Sequence, residues 1–206
     1  MIIKTISVDA MRKSDAWTIA NKISSKELMR RAGEGIFLAA EWKAPVAVVC
    51  GKGNNAGDGF VVAKLLRDHE IDCSLILLSD EFSEDGKYYY DICKNAGITT
   101  IIWHDNSGSF VLKEYGSVLD CIFGTGFAGS PREPYKSAIE AINMSGAYVV
   151  SADINSGLNG DSRLGETYVV SDLTVSIGDF KTGHFAGLAD TVIRKLVNVD
   201  IGIEII

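Results

Sequence analysis

The chain has 206 residues, 47% of them hydrophobic and 23% charged, with only three prolines. That is the composition of a folded globular protein and excludes a disordered one. A net charge of −7 and a pI near 5.0 argue against nucleic acid or an anionic membrane surface as a bulk partner. Four cysteines at 50, 73, 93 and 121 form no CxxC pair, which excludes zinc and thioredoxin-type sites. Those in AVVC, CSLILL and LDCIF sit in apolar runs and read as reduced core thiols. The opening MIIKTISVDAMRKSD does not read as a signal peptide, and no apolar stretch approaches the roughly 18 residues of a membrane span. A soluble, cytoplasmic protein is expected.

Two helices are predicted first. Ser7 or Asp9 caps a segment to about Ala20. A second runs from Ser25 to about Trp42 on an apolar stripe that includes Leu28, Met29, Ala32 and Ile36, with Pro45 ending it. Beyond Pro45, short apolar runs alternate with helical ones. Strands are predicted at Val46–Cys50, Cys73–Leu78, Thr99–Trp103, Val118–Phe123, Ala147–Ser151, Asp172–Ile177 and Leu196–Asp200. Helices are predicted at Phe60–His69, Asp85–Asn95 and Tyr135–Met144, the last with Pro134 in its first turn. The strands are continuous and rich in Val, Ile and Leu, so both sheet faces should be covered. This predicts a single α/β domain over residues 1–206. It has an open, mainly parallel sheet between helix layers and an N-terminal helical extension.

Ten of the 21 glycines fall in three windows, Gly51–Gly59, Gly124–Ser130 and Asp153–Gly165, each directly after a predicted strand. In an open parallel sheet those strand ends share one edge, where ligands bind. In VAVVC-GKGNNAGDG-FVVAKLL, Gly51, Gly53 and Ala56 satisfy the dinucleotide pattern. Asp58, however, sits where a pyrophosphate would lie. Either it hydrogen-bonds a ribose or nicotinamide-like group, or a cation lies nearby, or it merely stabilises a helix end. Asp120 lies inside a predicted strand, a costly place for a carboxylate unless it is paired or holds a cation. Asp153 falls at the tip of an apolar strand, in surroundings that would suit a proton-transfer carboxylate, or else it starts an Asx-turn. His69, His104 and His184 lack metal-ligand spacing and read as surface or capping residues. Lys181 either reaches the same sheet edge or is solvated. One or two rings of Tyr88-Tyr89-Tyr90 should pack on the sheet.

Together the windows resemble the NAD(P)H-hydrate epimerase family, the YjeF N-terminal domain. Its GxGNNGGDG, D-x-x-FGTG-x-x-G and D-I-P-S-G-L segments stand here as Gly51–Gly59, Asp120–Gly129 and Asp153–Leu158. The opening helices and the closing SIGDFKTGHFAG and VNVDIGI are similar to the family as well. The resemblance implies a Rossmann-like fold, a homodimer, and epimerisation of R- and S-hydrated NADH or NADPH (NADHX, NADPHX) at C6. A separate NAD(P)HX dehydratase would then complete the repair. It implies that Asn54, Asn55, Ala56, Gly57 and Asp58 bind substrate together with Gly124, Thr125, Gly126, Phe127, Ala128, Gly129 and Ser130. Asn55, Asp120 and Ser156 would hold one potassium ion per subunit, and Asp153 would be the acid/base residue and also touch substrate.

Three positions depart from the family pattern. Ala56 replaces a glycine, which is tolerable where φ is negative. Asn155 replaces a proline and is expected to loosen the loop carrying Asp153. Ser162 stands in place of a common threonine. Two other readings compete. One is a non-catalytic nucleotide-, RNA- or protein-binding module on the same fold. The other is an ordinary NAD-dependent oxidoreductase using Asp80 at the end of the second strand.

Overall fold

The computed structural model describes residues 4–103, 112–162, 167–187 and 189–206. Seven strands form one sheet: β1 (Val46–Cys50), β2 (Cys73–Leu77), β3 (Thr99–Ile102), β4 (Ser117–Cys121), β5 (Tyr148–Ala152), β6 (Leu173–Ile177) and β7 (Leu196–Val199). Their order is β3-β2-β1-β4-β5-β6-β7, with every neighbouring pair parallel. This is the Rossmann-like arrangement, with its topological switch between β1 and β4.

Alternation along the strands divides the core into two layers. Val46, Val48, Cys50, Leu119 and Cys121 face helices α2 (Ser25–Ala39), α3 (Asn54–Asp68) and α4 (Glu84–Asn95). Ala47, Val49, Ile76 and Val118 face α5 (Tyr135–Asn143) through Ile139 and Ile142. Both faces are covered, which is why these strands read as unbroken apolar runs. Helix α1 (Val8–Asn21) precedes α2, and both start at serine caps. Ser7 Oγ accepts from Ala10 N at 3.2 Å, and Ser24 Oγ from Glu27 N at 3.3 Å. A short helix, α6 (Ala189–Val192), leads into β7.

Several boundaries differ from expectation, each for a local reason. Helix α3 starts at Asn54, not Phe60, so most of the first glycine window is helix. Its glycines serve close packing: a Cβ on Gly59 would lie 2.9 Å from Cys121 Sγ and 3.1 Å from Val48 Cγ1. Helix α2 stops at Ala39, well before Pro45, because Ala40 is already extended. Strand β4 ends at Cys121 because the amides of Ile122 and Phe123 turn to side chains, Asp120 Oδ1 at 3.2 Å and Ser156 Oγ at 2.9 Å. Pro134 occupies the N-cap of α5 instead of its first turn.

All four cysteines are free and buried; Cys93, on α4, donates from Sγ to Phe60 O at 3.0 Å. Of the tyrosine run, Tyr90 packs on Phe60 and Phe82, and Tyr89 donates its hydroxyl to Lys26 O at 2.9 Å. Both rings pack against the core layer shared by that face of the sheet and its helices, and Tyr88 is about half exposed. Among the described residues, no helix is long and apolar enough to cross a membrane.

Candidate active site

A cleft of about 700 Å³ opens at the carboxyl edge of the sheet, at the β1/β4 switch point. Its floor comes from the three glycine windows and its far wall from α1, α2 and the C-terminal segment, with Met11, Arg12, Asp15, Met29, Ile201 and Ile203 contributing. That volume suits a small molecule or a substantial part of a dinucleotide.

Of the residues expected at a substrate site, Asn54, Asn55, Asp58, Gly124, Thr125, Gly126, Phe127, Ala128 and Asp153 line the cleft. Ala56, Gly57, Gly129 and Ser130 are not in its lining. Ala56 is the third residue of α3 and is buried in the core, where its helical φ accommodates the methyl group. Gly57 faces α2 and α4: a Cβ there would lie 2.6 Å from Met29 Cε and 3.3 Å from Gly86 Cα.

Asn55 and Ser156 both bond the main chain of Phe123, and Ser156 in turn holds Asp120. Asn55 Nδ2 donates to Phe123 O at 3.0 Å and Ala152 O at 3.3 Å. With its nitrogen fixed by two carbonyls, its Oδ1 is oriented too, and that atom is buried with no hydrogen-bond partner. Asp120 is fully buried and meets four donors. Ile122 N and Ser156 Oγ (2.5 Å) reach Oδ1, and Ser151 Oγ and Ser156 N (both 2.9 Å) reach Oδ2. Burial still pushes its carboxyl above the usual carboxylate range, against the pull of those donors. Asn55 Oδ1, the Asp120 carboxylate and the Ser156 hydroxyl are oxygen donors of the kind that suits a hard cation. Among the described residues, no group of three His, Cys, Asp or Glu side chains is gathered for a metal.

Asp153 follows β5 in the left-handed region, at φ 64°, a conformation rare outside glycine. Its surroundings differ from the apolar ones expected. Oδ1 accepts from Lys181 Nζ in a buried ion pair and from Ile177 N at 3.3 Å. Oδ2 lies against the next glycine loop, 3.7 Å from where a Cβ on Gly124 would sit. Lys181 is thus not solvated; it is 1% exposed and also donates to Ile177 O at 2.6 Å. His184, expected at the surface, is 3% exposed. It accepts from Lys181 N at its Nδ1 (3.1 Å) and contacts Asp153 O through Nε2 (2.9 Å), which fixes the tautomer with the proton on Nε2. Burial, then the Lys181 charge, lowers its pKa to about 4. His69 is an exposed capping residue, with Nδ1 2.8 Å from Leu65 O, and His104 lies outside the described residues.

Three further carboxylates, Asp15, Asp58 and Asp85, line the same cleft. Burial pushes Asp58 well above the usual range, reinforced by Asp153 and Asp15 and partly offset by Lys181. Asp15 is raised by burial and by Asp153. Sequence reasoning missed Arg12 and Asp15 because α1 has only a weak apolar stripe and no motif. Its orientation is set by tertiary contacts such as Val8 N to Asp161 Oδ1 at 2.7 Å. Asn155 also behaves differently from expectation. It is fully buried and pins the loop, donating from Nδ2 to Val169 O (2.9 Å), Ser171 Oγ (3.0 Å) and Val192 O (3.3 Å) and accepting from Thr174 Oγ1 at 2.5 Å.

A Rossmann-like sheet with a cleft at its switch point defines an α/β protein with a small-molecule-sized site at the carboxyl edge of its strands. The family described as YjeF-related protein N-terminus matches residues 25–183, and the chain belongs to that family. It is 34% identical over 184 residues to the bifunctional NAD(P)H-hydrate repair enzyme Nnr of Archaeoglobus fulgidus, covering 88% of this chain and 38% of that one. It is 33% identical over 162 residues to the NAD(P)H-hydrate epimerase of Rhodopirellula baltica, covering 76% and 66%. The Escherichia coli Nnr is 30% identical over 189 residues, covering 86% and 35%. The chain thus spans less than two thirds of the length of these relatives. The crystal structure of yeast ynu0 shares the fold, with a TM-score of 0.80 at 21% identity over 95% of this chain and 87% of that one.

Proposed function

We propose that the chain epimerises hydrated NADH or NADPH at C6, with Asp153 as the acid/base residue. The observation that carries this reading is Asp153 itself. One of its oxygens is anchored and the other is turned to the cleft, at the edge where Asn55 and Gly124 also meet. The relatives named as NAD(P)H-hydrate epimerase and repair enzymes support the substrate class. In the substrate, C6 bears a hydroxyl next to the ring nitrogen. A proton from Asp153 lets the C6–O bond break and water depart, while the nitrogen lone pair forms a flat iminium. The conjugate base then guides water back to either face, and the proton returns to Asp153. Ionised carboxylate at the cleft favours the cationic iminium.

Asn54, Asn55, Asp58 and the Gly124–Ala128 loop would bind the dinucleotide. Asn55, Asp120 and Ser156 would hold potassium, which supplies positive charge to the phosphate-binding edge; the unpaired Asn55 Oδ1 supports this. We read the 206 residues as one domain acting as a cytoplasmic homodimer, with a dehydratase downstream, as the bifunctional names of the Nnr relatives suggest.

The test follows the epimer ratio of purified R-NADHX by HPLC for the wild-type protein, Asp153→Asn and the spontaneous reaction. Acceleration that the variant lacks supports the reading. A wild-type rate equal to the blank overturns it and, if NAD-like ligands still bind, favours the non-catalytic binding module.

A further inference from the structure

The cleft contains a buried cation that the proposed chemistry has not used. We infer that Lys181 is the positioning residue of the site: its ammonium fixes Asp153 Oδ1 so that Oδ2 alone meets the substrate. The inference rests on the reading of Asp153 as the acid/base residue.

Its geometry is specific. Lys181 Nζ is enclosed by Asp153 Oδ1, Ile177 O at 2.6 Å and Ser176 Oγ at 3.5 Å, all acceptors supplied by β6 or the tip of β5. An ammonium 1% exposed is tolerated only where its charge is paired and its protons are placed, and three acceptors do this here. The lysine backbone is equally held. Ile6 N donates to Phe180 O at 2.8 Å, Thr182 N to Ile6 O at 3.1 Å, and Gly183 N to Gly160 O at 2.7 Å.

His184 closes the assembly, bonded on one side to Lys181 N and on the other to Asp153 O. Asp153 is therefore gripped twice, at its carboxylate by Lys181 and at its carbonyl by His184. The second grip helps hold the left-handed φ that turns the side chain toward Gly124. With Oδ1 occupied by Lys181 Nζ and Ile177 N, proton transfer is confined to Oδ2.

The test compares Lys181→Met, which keeps length but removes charge, with Lys181→Ala supplemented with propylammonium. The expected result for Lys181→Met is a kcat for epimerisation lower by on the order of a hundredfold, the cost of an ångström-scale misplacement, with KM changed less than about threefold. Propylammonium should restore Lys181→Ala at least about tenfold, an effect that a space-filling role would not produce. A Lys181→Met variant with wild-type kcat overturns the inference, and so does a loss in Lys181→Ala that the amine leaves untouched.

Nitrogen-15 spectra of the lysine ammonium groups separate this inference from the functional reading. If the wild type itself fails to epimerise, the reading falls. The anchoring is still decided by whether a slowly exchanging Lys181 resonance is present and is lost in Asp153→Asn. A Lys181 signal that ignores Asp153→Asn overturns the anchoring.

Discussion

Ser156 donates its hydroxyl to Asp120 Oδ1 at 2.5 Å while its own amide donates to Oδ2 of the same carboxylate at 2.9 Å. One residue of the third window thus grips both oxygens of a carboxylate in β4, and the loop that follows Asp153 is tied to the switch point. Each Asp120 oxygen also takes one backbone N–H, Ile122 on one side and Ser156 on the other. Asp120→Asn therefore orphans a buried amide whichever way its side chain is turned. The expected loss is about 1–3 kcal/mol in urea unfolding. Any stabilisation by potassium in the wild type should vanish in the variant, as read by thermal unfolding in potassium against tetramethylammonium chloride.

Asn155→Pro installs the residue found in the family pattern and would be expected to stiffen a loop. Here it removes a fully buried amide that donates to Val169 O and accepts from Thr174 Oγ1. Stability should fall by about 1–3 kcal/mol, because buried partners lose their hydrogen bonds. A stabilised variant in the same urea titration would refute the pinning role.

Ala56→Gly is expected to lower stability by about 1–2 kcal/mol, from helix-interior glycine and a lost buried methyl group. The proposed epimerisation should stay within twofold of the wild-type rate, since Ala56 faces the core and not the cleft. A gain in activity would mean that the methyl group obstructs substrate.

His184 gives a pH dependence with a definite sign. Its pKa falls from 6.5 to about 4 on folding, so between those values the unfolded chain takes up a proton that the native state does not. Stability should thus decline as pH falls from 6.5 toward 4, by up to on the order of 3 kcal/mol. Asp58 and Asp120, raised on folding, act in the opposite direction, so the effect is read as a difference. On going from pH 7 to pH 5 the urea midpoint of the wild type should fall relative to that of His184→Asn, and an equal change in the two would exclude it.

The sheet and the edge carrying the site were legible because they rest on local signals. Continuous apolar runs mark strands buried on both faces, and three glycine windows each follow such a strand. Asp120 stood out because a carboxylate inside an apolar run must be compensated, and the structure supplies four donors. What stayed hidden depends on distant chain meeting distant chain. The start of α3 was obscured because Gly57 and Gly59 look like loop residues, until Met29, Gly86 and Cys121 are seen to press against them. His184 lies 31 residues from Asp153, and the choice between the two readings of Lys181, 28 residues away, is made only by the β5–β6 pairing. Asn155 looked like a weakness because its four partners lie between residues 169 and 192.

The four enclosed thiols give the chain a built-in clock. Burial pushes Cys73 to about 11 and Cys93 to about 12, and Cys50 and Cys121 well above the ordinary thiol value. Because only a thiolate attacks an alkylating reagent, the closed fold is silent toward one at neutral pH. Cys50 and Cys121 sit on adjacent central strands at the switch point, whereas Cys93 sits on the buried face of α4. The order in which the thiols become reactive therefore reports whether a helix lifts away or the centre of the sheet parts first, without any added label.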